Sequence, residues 1–141
     1  MGEQAKGKPL DKLYLFRHNR HVKQVLRSLR WIGSAKKDLL AMPDVAQQTF
    51  GFALYQAQIG SLYSAARPLK GFGSAGVLEI VEDWRGNTYR AIYTVRFAEA
   101  VYVLHCFQKK SKHGIETPKH EMDLIRERLR EAERQAKGGQ A

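Results

Sequence analysis

Three apolar runs joined by very short links constrain this chain more than anything else in it. They read "VLEIVEDW" (77–84), "TYRAIYTVRF" (88–97) and "VYVLHCFQ" (101–108). Each is rich in β-branched and aromatic residues, and the links are "RGN" and the three residues Ala98–Ala100. Links this short place consecutive strands side by side and antiparallel, so a three-stranded meander is expected. The rest of the chain must pack on that sheet.

Upstream, "SLRWIG" (28–33) reads as a short strand, and Ser34 as the N-cap of a two-turn helix that Pro43 terminates. Asp44 is expected to cap a second helix. Its apolar stripe is Ala46, Phe50, Ala53, Leu54 and Ala57, and Gly60 stops it. The short join at Met42–Pro43 makes the two helices an antiparallel hairpin. Residues 61–76 carry three glycines and no clear period, the mark of a long functional loop. Downstream, Thr117 caps a helix with Pro118 at its first position and a stripe of Met122, Ile125, Leu129 and Ala132. The expected architecture is α+β in two layers, a helix hairpin on one face of a small antiparallel sheet and the other face partly open. One domain over 28–136 follows, with a basic, flexible extension at 1–27 and a disordered tail at 137–141.

The formal charge of the 141 residues is +10 and the pI about 9.9, which points to an acidic partner, nucleic acid first. Residues 1–30 hold eight Lys/Arg against two acids, a net of +6, so the excess in the remainder is modest. The lone Cys106 lies inside an apolar strand, as a buried structural thiol in a reducing cytoplasm would. No run approaches the roughly eighteen apolar residues that a membrane span needs. The first residues lack an apolar run of about 7–15 residues, so no secretory signal is expected.

Alternation along the strands assigns faces. Tyr89, Ala91, Tyr93, Val95 and Phe97 read as core, and Thr88, Arg90, Ile92, Thr94 and Arg96 as the open side. Glu79 points away from Leu78 and Ile80. Val101, Val103, His105 and Phe107 alternate with Tyr102, Leu104, Cys106 and Gln108. Taken singly, these residues have ordinary readings: Arg90 paired with Glu79 at the surface, His105 as a satisfied core histidine, "KKSKHG" as a solvated loop. Together, Lys70, Arg90, Arg96, Lys109, Lys110 and Lys112 can converge on one face, with Glu79, His105 and His113 as proton-transfer groups. That set suits RNA cleavage without a metal: a base takes the 2′-OH proton, the oxygen attacks its own phosphodiester, and an acid protonates the leaving oxygen. No Asp/Glu or His spacing resembles a metal-ligand set, so neither metal nor small-molecule cofactor is expected.

Four stretches carry a family resemblance: "WIGSAKKDLLAMP", "PLKGFGSAGVLEIVED", "TYRAIYTVRFAEAVYVLHCFQKKSKHGIETPK" and "DLIRERL". Over about Ser28 to Glu133 the sequence resembles the RelE/HigB family of bacterial toxins, in its phage-derived HigB-like branch. The resemblance implies a type II toxin–antitoxin module with a RelE-like fold. It further implies a ribosome-dependent mRNA endonuclease that uses no metal and is held inactive by a cognate antitoxin, often of helix-turn-helix type. On this resemblance Arg90 sits where the family's strand arginine contacts the scissile phosphate. Glu79 matches a frequent acidic position, and Lys70 matches "PLKG". Lys109, Lys110, Lys112 and His113 occupy the segment that holds basic and acid–base residues. Residues 1–27 have no counterpart in that branch. Two other classes compete, a non-enzymatic ParE-like toxin acting on DNA gyrase and a plain nucleic-acid-binding protein.

Overall fold

A computed structural model describes residues 26–109 and 117–140. Its elements are β1 (Ser28–Trp31), α1 (Ala35–Leu40), α2 (Asp44–Gln58), β2 (Arg67–Pro68), β3 (Val77–Trp84), β4 (Asn87–Thr94), β5 (Ala100–Lys109) and α3 (Lys119–Gln140). The meander forms as expected: β3, β4 and β5 pair antiparallel in sequence order. β1 adds parallel to the outer edge of β5, and β2 caps the edge of β3, giving the order β1-β5-β4-β3-β2. The protein is therefore α+β, with a mixed sheet.

The β3–β4 link is a two-residue turn, because Trp84 pairs with Asn87. Arg85 and Gly86 take φ values of 52° and 79°. Two positive φ values match the right-handed twist of the flanking strands, and Gly86 adopts its value without a Cβ clash. Arg85 lacks that freedom, and its guanidinium rests over the Trp84 ring at 4.4 Å.

The helix hairpin covers one sheet face. Ala46, Phe50, Ala53, Leu54 and Ala57 are all buried there with Leu78, Ile80, Tyr89, Ala91, Tyr93, Val101 and Val103. Gly60 ends α2 at φ 82°, and the Ser61 N–H reaches back to the Gln56 carbonyl at 2.8 Å, the wrap that closes a helix C-terminus. Asp44 departs from its expected role: it is the first helical residue, and Pro43 holds the cap position without a side-chain bond. The Gln47 amide instead donates to the carbonyls of Leu40 and Met42 at 3.1 and 2.8 Å, tying the end of α1 to the start of α2.

The second face is not open. α3 lies across it, burying Ile125, Leu129 and Ala132 against Ile92, Tyr102, Leu104 and Phe107. The stripe on α3 was legible, and an apolar stripe must be covered by something. The sheet face that covers it carries Ile92, Leu104 and Phe107 among its polar residues, which hid it from a reading by alternation. α3 also continues to Gln140, through the stretch expected as a tail from 137, because glycine weakens a helix without ending it. Pro118 precedes the helix and its carbonyl accepts the Met122 N–H at 3.0 Å.

A strand boundary and a bulge shift the expected site. β4 ends at Thr94, so Val95, Arg96 and Phe97 lie beyond it. In β5, Ile92 pairs with His105 but Tyr93 pairs with Val103, a bulge that inserts Leu104. The extra residue reverses the alternation: Val103 and Cys106 share the hairpin face, while Leu104 and Phe107 share the α3 face. His105 thereby joins the α3 side.

Candidate functional site

Arg90 projects from the middle of β4 onto the α3 face and is 5% exposed. Its Nη1 donates to Glu79 Oε2 at 2.9 Å and to Thr117 Oγ1 at 3.3 Å. Glu79 comes from β3, held on that face because Leu78 and Ile80 point into the hairpin core. The sheet fixes both backbones, so the pair is placed rigidly. Thr117 stands just before α3, which brings the entry to that helix against the arginine.

Across the bulge lies a second polar cluster. The His105 ring stacks on Phe107 with centroids 4.7 Å apart. Arg128 Nη1 donates to the Leu104 carbonyl at 2.9 Å and approaches His105 Nδ1 at 3.3 Å, while Nη2 donates to Ser34 Oγ at 3.1 Å. Ser34 in turn donates to Asp38 Oδ2 at 2.7 Å. A guanidinium only donates, so Nδ1 must accept and the proton sits on Nε2. Nε2–H then donates to Glu121 Oε1 at 2.6 Å. Burial pushes the His105 pKa below its ordinary value and Arg128 pushes it the same way, against the opposing pull of Glu121 and Asp38. The ring is neutral at pH 7 with both nitrogens engaged. This geometry clamps α3 to the sheet, the satisfied-histidine arrangement.

The remaining expected cations do not gather in one place. Lys70 follows Leu69, whose N–H donates to the Val77 carbonyl, and Arg96 follows Thr94, the partner of Val77. Both therefore stand at one end of the sheet. Arg96 pairs with Glu133 at 2.6 Å and lies over the Phe97 ring at 5.4 Å. Lys109 pairs with Thr88 at the other end and is 8% exposed. Lys110, Lys112 and His113 lie outside the described residues. A depression of about 700 Å³ beside His105 is lined by Asp38, Met42, Tyr89, Phe107 and Glu121, with no lysine or arginine among its described residues. It is unsuited to a polyanion.

One cation was missed by reading the sequence. Arg67 pairs directly with Glu79 across β2 and β3 and is exposed. The signal was Pro68: a proline forces the residue before it into an extended conformation, and proline within a sheet belongs to edge strands. Cys106 is 1% exposed, and burial pushes its thiol up to about 12, which suits a structural thiol and not a nucleophile. Among the described residues, no group of His, Cys, Asp and Glu could hold a metal ion, and no helix is long and apolar enough to cross a membrane.

A five-stranded sheet between a helix hairpin and a long C-terminal helix, with a buried arginine paired to a part-buried glutamate on the second face, defines a small α+β domain. Residues 37–130 match the family described as phage derived protein Gp49-like (DUF891), and the chain belongs to that family. No curated protein matches it. Among solved structures it is similar to a chain from the crystal structure of the toxin–antitoxin complex RelBE2 of Mycobacterium tuberculosis. That likeness has 22% identity and a TM-score of 0.40, covering 63% of this chain and 98% of that one.

Proposed function

We propose that this protein is the toxin of a type II toxin–antitoxin module, of the HigB-like branch, and that it cleaves mRNA on the ribosome. Membership of the Gp49-like family and the motif resemblance over Ser28–Glu133 support the class. The observation that carries the chemistry is Arg90: a planar fork fixed mid-strand, aligned by a carboxylate, is suited to hold two phosphate oxygens as charge develops on them. Glu79 is then the counter-ion that keeps the fork in place before substrate arrives. Acid–base work falls to the segment between Lys109 and Thr117, which carries Lys110, Lys112 and His113. One of these side chains protonates the leaving 5′-oxygen. The cognate antitoxin, a helix-turn-helix protein in this reading, silences the toxin by covering this face or by blocking its entry to the ribosome. The protein acts in the cytoplasm.

The test is in-vitro translation of a defined message, scored by cleavage products. Arg90→Ala should cut roughly 100- to 1,000-fold more slowly, the usual loss for a preorganised donor. Arg90→Lys keeps a cation opposite Glu79 but loses the fork, and should recover little. A folded Arg90→Lys protein that cuts at the wild-type rate would sink the assignment.

The burial of Arg90 behind Glu79 and the engagement of both His105 nitrogens favour a second reading, a ParE-like toxin that inhibits DNA gyrase without chemistry. Growth arrest with intact messages and lost supercoiling activity would select it.

A further inference from the structure

Glu79 stands between two arginines that differ in one respect. Arg90, on β4, is buried and bonded to it at 2.9 Å. Arg67 faces it directly from β2 and is exposed to solvent. Paired residues in an antiparallel ladder project on the same side, with Cβ atoms about 4.5–5.5 Å apart. Leu69, two residues on from Arg67, packs in the α3-side cluster, which independently places Arg67 on the same face as Glu79. Pro68 holds the backbone of Arg67 extended, so its direction is set before any ligand binds.

We infer that Arg67 is a positioning residue that receives the Glu79 carboxylate when an RNA phosphate takes its place on Arg90. The inference deepens the nuclease reading and rests on it for the identity of the anion. A phosphodiester cannot use both arms of the Arg90 fork while Glu79 occupies one of them. The displaced carboxylate cannot be left uncompensated at a part-buried position, where an unpaired charge is strongly disfavoured. Arg67 lies one strand away on the opposite side, within reach of a χ-angle change of Glu79 and without backbone movement. The exchange leaves every charge paired: one anion enters, one carboxylate moves from the inner arginine to the outer, and no buried ion is stranded. In the free protein the same carboxylate shields Arg90 from other anions.

The exchange predicts a specific non-additivity. Arg67→Ala should weaken binding of a short RNA whose 2′-oxygens are methylated, so that it cannot be cut, by about tenfold. With Glu79→Gln there is no carboxylate to relocate, and adding Arg67→Ala in that background should cost less than about twofold. Arg67→Lys should restore most of the loss in the wild-type background, because a point charge suffices to receive a carboxylate. The measurement is fluorescence anisotropy of the full-length protein with the methylated RNA, with thermal melts to confirm folding. Equal losses from Arg67→Ala in both backgrounds would mean that Arg67 contacts phosphate directly, and the exchange is then wrong. No loss in either background overturns it as well. Binding is read without cleavage, so a failed coupling refutes the exchange, whereas uncut messages in the translation assay refute the nuclease.

Discussion

The two faces of this sheet are built by different rules. The hairpin face is apolar from end to end: Leu78, Ile80, Tyr89, Ala91, Tyr93, Val101, Val103 and Cys106 meet α1 and α2. On the α3 face, buried Arg90, Thr94, His105 and Lys109 interrupt Ile92, Leu104 and Phe107. One face holds the domain together by area. The other spends part of its area on groups that must be hydrogen-bonded one by one, a requirement that stability alone would not impose. The contrast sets an apolar face and a polar-studded one on either side of a single layer of strands.

Substitutions can break or sharpen that contrast. The largest effect belongs to Phe50→Ala, which opens a cavity in the all-apolar face and should cost about 3–5 kcal/mol by urea denaturation. RNA affinity should be unchanged wherever that protein remains folded. Next is Glu79→Ala, which leaves Arg90 buried without its carboxylate and should cost about 3 kcal/mol. Glu79→Gln retains an acceptor and should cost clearly less. Equal losses for the two would show that the pair acts by charge and not through the retained acceptor or volume.

His105 gives the α3 face a dependence on pH. Its folded pKa is depressed, so the unfolded chain binds the proton more readily. The stabilisation is complete above the unfolded value, about 6.5, and is lost as pH falls below it toward the folded value. The melting temperature should therefore drop between pH 7 and pH 5.5, and His105→Gln should flatten that slope. A slope unchanged by the substitution would assign the acid sensitivity to carboxylates. The smallest effect is Tyr93→Phe. The Tyr93 hydroxyl is fully buried on the hairpin face with no hydrogen-bond partner among the described residues, and burial pushes its pKa up to about 12. Removing it should leave stability unchanged or raise it by roughly 1 kcal/mol.

The apolar face was legible in the sequence almost residue by residue, because helical stripes and strand alternation report burial directly. The α3 face was not. Arg90 and Glu79 were readable as neighbours, but their burial was not, since it depends on α3 lying over them. Strict alternation grouped His105 with Val101 and Val103, and the one-residue bulge that parts it from them leaves no mark in local composition. Arg67 was overlooked inside a long loop, where the two residues of β2 are too few to show a period. The gathering of Lys70 and Arg96 with Arg90 failed for a related reason: β4 stops at Thr94, and Arg96 turns to Glu133 instead.

The parallel pairing of β1 with β5 also sets an order of events. Ser28 is opposite Ala100, about 70 residues later in the chain, whereas the meander closes over links of two to five residues. Joining such distant segments carries a large loop-closure entropy and slows folding relative to local pairing. During synthesis, β1 and the helix hairpin leave the ribosome well before the strand that completes their sheet. Until β5 has emerged, the apolar stripe of α2 has no finished floor to rest on. Arg90 likewise has neither Thr117 nor the α3 layer behind which it is buried. The domain, and whatever activity the Arg90 site has, is thus withheld until both β5 and α3 have been synthesised.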